Sequence, residues 1–111
     1  MISYNVRGLV SMRNRQRIYI SGRMSGLSEQ DYTARFSTAE EMLKADYKVF
    51  NPVRWGWFLK HVPYRVALAF DIAMMCFCDR VYFLDGWALS NGACAEHQFA
   101  VSTGMIRMYE L

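Results

Sequence analysis

No stretch of this sequence is apolar for long enough to cross a bilayer. The longest uninterrupted apolar run, Ile72 to Cys78, has seven residues, against the roughly 20 that a spanning helix needs. The N-terminal segment also lacks the continuous apolar core of a secretory signal, so the expectation is a cytoplasmic protein with no membrane partner. Cysteines are few and odd in number, three in all, which points to reduced thiols and not to a disulfide framework. The usual nucleotide and metal signatures are missing too: no GxGxxG, no P-loop, no CxxC pair and no HExxH. Cys76 and Cys78 are spaced CxC, and Cys94 beside His97 reads as packing; the expectation is no metal and no organic cofactor. Internal repeats and low-complexity segments are absent as well.

What is present is core material. Of 111 residues, 53% are apolar and 15% aromatic, with 21% charged, a balance that excludes disorder, and the length fits one domain and not two. The formal net charge of +3 is unevenly spread. Arg7, Arg13, Arg15 and Arg17 give residues 1–17 a net +4, whereas residues 18–111 carry nine basic and ten acidic side chains, a net −1. A nearly neutral body disfavours a nucleic-acid footprint, which needs clustered basic surface to neutralise phosphates. The sequence therefore divides into a basic leader, 1–16, read as a frayed arm, and a domain, 17–111, suited to a small ligand.

Within the domain, Arg17 to Ser21 (RIYIS) reads as a strand ending in the loop Gly22 to Ser28. Tyr32, Phe36, Ala39 and Leu43 repeat at helical spacing behind Ser28, a candidate N-cap with Asp31 three residues on. Tyr47 to Asn51 is a second strand, stopped by Asn51-Pro52. Val53 to Pro63, with Trp55, Trp57, Phe58 and His61, has no clean period and reads as a short helix or a lid. From Tyr64 to about Cys76 a helix places Tyr64, Leu68, Ile72 and Met75 on one stripe, with Asp71 beside it. Arg80 to Leu84 is a third strand, Ser90 caps a helix over Asn91 to Thr103 that Gly104 ends, and Met105 to Tyr109 is the last strand. Strands alternating with helices predict a small doubly wound, flavodoxin- or Rossmann-like α/β domain with a parallel sheet of four to five strands. Ligands in such sheets bind beyond the carboxyl ends of the strands, which selects the loops Gly22 to Ser28, Asn51 to Trp57 and Asp85 to Gly92.

Glu96 is the main anomaly. It lies on the apolar side of the last helix with Ala93, Phe99, Ala100 and Thr103, and a carboxylate facing a sheet needs a partner or a function. Near a helix N-terminus it is expected to stay ionised; it caps local amides or pairs with an arginine such as Arg23, or it is a nucleophile. Asp71 is either a surface aspartate or an acid whose pKa is raised by desolvation, fit to donate a proton. Together, two such carboxyls are what displacement at an anomeric carbon requires. Gly22-Arg23-Met24-Ser25-Gly26 offers amides, a hydroxyl and a guanidinium to a phosphate or sugar, and Ser90-Asn91-Gly92-Ala93 is a second possible anion cradle. The tryptophans can stack on a planar base or pack in a core or dimer interface.

In order and spacing, Ile18-Tyr19-Ile20-Ser21-Gly22 with Arg23 to Gly26, Asn51-Pro52, Asp71 to Asp79, Val81 to Leu84, Ser90 to Ala93 with Glu96, and Gly104 resemble the nucleoside 2-deoxyribosyltransferase-like superfamily, including its short phage and bacterial proteins of unassigned function. The resemblance covers about Arg17 to Glu110. It implies that Glu96 is the nucleophile forming a glycosyl-enzyme ester, that Asp71 assists base departure or orients the sugar, and that Tyr19 positions the nucleophile. Substrate contacts are then expected from Gly22, Arg23, Ser25, Asn51, Ser90 and Gly92, on a 2′-deoxynucleoside or its 5′-monophosphate. A homo-oligomer, dimer or higher, is implied as well, because sites in the superfamily are often completed by a neighbouring subunit. The sequence departs from the pattern at Cys94 and Ala95 and in the Trp-rich segment after Pro52. Two other readings stand beside an enzyme of N-glycosidic bonds: a nucleotide-binding sponge or sensor using the same pocket, and an interaction protein using the basic arm.

Overall fold

The structure, a computed structural model, describes residues 15–111. Most of the expected leader lies outside the described residues; of its last two members, Arg15 donates to the Lys44 carbonyl at 2.8 Å and the Gln16 carbonyl accepts from Lys48 N at 2.9 Å. The elements run β1 (Arg17–Ser21), α1 (Glu29–Leu43), β2 (Lys48–Phe50), a 3-10 turn (Pro52–Trp55), α2 (Gly56–Leu59), α3 (Tyr64–Met75), β3 (Arg80–Phe83), a second 3-10 turn (Trp87–Leu89), α4 (Asn91–Thr103) and β4 (Ile106–Tyr109). The segment without a clean period is thus two short turns of helix. Local chemistry explains the boundaries. Ser28 Oγ accepts from Asp31 N to start α1, Asn51 Oδ1 accepts from Val53 N to start the 3-10 turn, and Ser90 Oγ accepts from Ala93 N to start α4. Gly104, at φ +72°, ends α4 in the left-handed conformation that glycine adopts without strain.

All strand pairs are parallel, in the order β2-β1-β3-β4, with Tyr19 opposite Phe50 on one side and Val81 on the other. This is a four-stranded α/β sheet with helices on both faces, compatible with a small Rossmann-like fold. Strand alternation divides the core. Ile18, Ile20, Tyr82 and Leu84 pack with Phe36, Ala39 and Leu43 of α1 on one face. Tyr19, Val81 and Phe83 pack with Met75 of α3 and Ala100 of α4 on the other. Because the chain steps one way from β1 to β2 and the other way through β3 to β4, the order reverses between β1 and β3, and the crevice opens beyond their carboxyl ends. There the two strands leave side by side so closely that a Cβ on Gly22 would stand 2.9 Å from Leu84 Cδ1. Among the described residues no helix is long and apolar enough to cross a membrane.

Candidate active site

A cavity of about 500 Å³ occupies this crevice, within the range of small-ligand sites. β1 contributes Tyr19, Ile20 and Ser21 and the following loop Gly22, Met24 and Ser25; the segment after β2 contributes Pro52, Val53, Gly56, Leu59 and Lys60; α4 contributes Ser90 through Ala93 and Glu96. From α3 come Tyr64, Ala67, Leu68 and Asp71, spaced i, i+3, i+4, i+7 as one helical face. Asp71 therefore sits on the cavity stripe and not beside a core stripe. The apolar periodicity of α3 is real, but only Met75 of this helix is buried; its Tyr64 and Leu68 are cavity wall.

Glu96 is 5% exposed and projects from α4 toward β1. Tyr19 Oη donates to its Oε2 at 2.9 Å, and Ser21 Oγ donates to its Oε1 at 2.5 Å. Tyr19 and Ser21 are two residues apart on one strand and so point to the same face, which lets one strand grip both oxygens of one carboxylate. Among the described residues no arginine or lysine pairs with Glu96, so the pairing with Arg23 entertained from spacing does not occur. Arg23 instead donates through Nε to the Ser25 carbonyl at 2.9 Å and stays out of the cavity lining. Asn51 is also elsewhere: buried, its Nδ2 donates to Glu40 Oε1 at 2.9 Å while its Oδ1 holds Val53 N. Gly22, Ser25, Ser90 and Gly92 line the cavity.

Asp71 lies close enough to Glu96 and Tyr19 to shift the titration of both, and its Oδ1 is buried without a hydrogen-bond partner. Burial pushes the Asp71 carboxyl up to about 6. Glu96, more deeply buried and beside a second acid, is pushed further, its two hydroxyl donors pulling the other way. Helix α4 adds little toward ionising Glu96, which is the sixth residue of the helix and beyond the first turn where the dipole acts; desolvation is the largest influence on its carboxyl and raises its pKa, against the two hydroxyl donors. Burial and the two neighbouring acids raise Tyr19 well above the ordinary phenol range, so its hydroxyl remains a donor. The pair of carboxyls titrates as one unit, and with one proton between them it supplies an acid and an ionised acceptor at the same point of the cavity.

Ser21 is a site residue that the sequence alone does not single out, although its alternation with Tyr19 on β1 is legible there. Lys60, Met24, Tyr32 and Tyr64 are likewise not assigned to the site by the sequence. The cysteines and His97 are dispersed: Cys94 Sγ donates to the Ala88 carbonyl, and His97 stacks on Trp87 at 4.1 Å with its Nε2 2.7 Å from Tyr109 Oη.

A family model matches residues 16–109, nearly all of the described chain. The chain belongs to the family described as a domain of unknown function, DUF4406. No curated protein and no solved structure matches it. In this DUF4406 domain the match takes in every residue that lines the cavity, from Tyr19 to Glu96.

Proposed function

We propose that the protein cleaves or transfers the N-glycosidic bond of a 2′-deoxynucleoside or its 5′-monophosphate, as the resemblance to the nucleoside 2-deoxyribosyltransferase-like superfamily implies. The observation that carries the reading is a buried carboxylate, Glu96, gripped by Tyr19 and Ser21 at the wall of a cavity that a second carboxyl, Asp71, also lines. A buried charge with no cation beside it among the described residues is costly, and a functional site is where that cost is tolerated. In the first step a Glu96 oxygen forms a bond to C1′ of the sugar while the C1′–N bond breaks, its electron pair leaving with the base, and protonated Asp71 gives its proton to the base. In the second, water or another base attacks C1′, Asp71 takes up the released proton, and the ester breaks to return Glu96 as carboxylate. Tyr19 and Ser21 position the nucleophile, and no step calls for a metal or an organic cofactor. A cytoplasmic homo-oligomer is part of the same proposal.

The test is incubation with the four 2′-deoxynucleosides and their 5′-monophosphates, followed by chromatography for free base. Wild type releases base from at least one of them and Glu96→Ala from none. No release across the panel, or equal release by the variant, overturns the assignment. A second reading, binding without cleavage, is favoured by the depth of Glu96: only 5% exposed, its carboxyl is pushed by desolvation toward the neutral form, which is a poor nucleophile. Native mass spectrometry showing an intact nucleotide retained through purification, with no release in the panel, selects that reading.

A further inference from the structure

Resting on the glycosidic reading above, we propose that Lys60 is a specificity-determining residue that selects a ligand bearing an anionic, phosphate-sized group, and that Glu29 is its displaceable counter-ion. The charges around the cavity are unevenly placed. Glu96 and Asp71 stand together, and Lys60 is the one cation among the described residues of the lining. A ligand anion is repelled by the acids and drawn to the lysine, so the uncharged glycosidic end and the anionic end of a substrate are sorted by the cavity itself.

Lys60 follows α2, and its Nζ lies 2.8 Å from Oε1 and 2.9 Å from Oε2 of Glu29, the first residue of α1. The pair joins the segment after β2 to the helix after β1. Its side chains are 49% and 64% exposed, so solvent and salt screen it and Glu29 is weakly held. Neither residue is needed to fill the core. A phosphate at the cavity mouth offers the ammonium a stronger charge-assisted acceptor than an exposed carboxylate does, and Ser25, which also lines the cavity, has a hydroxyl that can add a donor. Arg23, the guanidinium that the sequence offered for this task, is turned onto the Ser25 carbonyl, which leaves the role to Lys60.

The test is calorimetric titration of the full chain carrying Glu96→Gln, which blocks turnover, with a 2′-deoxynucleoside and with its 5′-monophosphate. The monophosphate is expected to bind about tenfold or more tightly than the nucleoside, a charged hydrogen bond's worth. Adding Lys60→Met is expected to abolish that preference while leaving nucleoside affinity unchanged, and adding Glu29→Gln to increase it. An unchanged preference with Lys60→Met, equal weakening of both ligands, or no preference to begin with overturns the role of Lys60 and leaves the glycosidic reading standing. Failure of the Glu96→Gln protein to bind either ligand, with no base released by wild type, overturns that reading and this one with it. Unaltered thermal unfolding of Lys60→Met checks that the exposed lysine is not structural.

Discussion

Ser21 shows how much one hydroxyl can do at a buried acid. Its bond to Glu96 Oε1 lowers the carboxyl's pKa against a desolvation that raises it, so it biases the shared proton away from the oxygen proposed to attack. Ser21→Ala removes one of the two donors and leaves an acceptor buried, which costs about 1–3 kcal/mol when the acceptor is charged or unsatisfied. Protonation of Glu96 relieves part of that cost. The expected outcome is a loss of activity of roughly tenfold or more near neutral pH, because a larger share of Glu96 is protonated and a donor is lost to the charge that returns to it as the ester breaks, together with an alkaline shift of the pH–rate profile. Base release measured from pH 5 to 9 checks it. An unshifted profile with lowered rate assigns Ser21 a packing role only.

At the scale of elements, two glycines close to the ends of strands and helices separate stability from site geometry. A Cβ at Gly22 would meet Leu84 Cδ1, Cβ and Cγ at 2.9–3.1 Å, and Leu84 is 1% exposed and cannot swing away. Gly22→Ala overpacks that contact, at about 1–3 kcal/mol, and displaces backbone that lines the cavity. At Gly104 a Cβ has open space around it, and the cost of Gly104→Ala is the left-handed backbone alone, roughly 1–2 kcal/mol. Urea unfolding is expected to show comparable losses for the two variants, while ligand titration shows weakened binding only for Gly22→Ala. Much of this level was legible beforehand. Caps at Ser28 and Ser90, the stop at Asn51-Pro52, the glycine after Thr103 and the 2.0 and 3.6 periods place the helices and strands because each is a local effect. Their alternation then implies a parallel sheet of four to five strands, whereas the order β2-β1-β3-β4 is supplied by the structure. Less legible was which apolar stripe faces a core and which faces a cavity, since Tyr64 and Leu68 look the same in sequence on either account. The fate of Arg23 and Asn51 was hidden for a related reason: both are polar and next to the site, but their partners, the Ser25 carbonyl and Glu40, are chosen by tertiary geometry.

For the whole molecule, placing two acids in one cavity ties stability to pH. In the unfolded chain Asp71 and Glu96 titrate near their ordinary values, about 3.9 and 4.3. In the folded protein burial raises the two titrations of the coupled pair, to about 6 and about 8. The native state therefore binds more protons than the unfolded chain across that interval, so these groups' contribution is fully present below the unfolded values and is lost as pH rises through the folded ones. Each excess proton gives a slope of about 1.4 kcal/mol per pH unit. His97, whose pKa burial and Arg107 lower, acts in the opposite sense: the unfolded chain then binds more protons near its ordinary value, and stability rises with pH there. The net curve of wild type mixes both, but the difference between wild type and Glu96→Gln removes His97 and every other group that titrates alike in the two. That difference is expected to move in favour of the variant from pH 5 to pH 8.5, measured as urea midpoints, and Asp71→Asn is expected to show a smaller drift ending at lower pH. Parallel curves for wild type and Glu96→Gln would mean that Glu96 is ionised throughout, with the shared proton confined to Asp71. The alkaline limb of base release would then lie near the Asp71 value and not near that of Glu96.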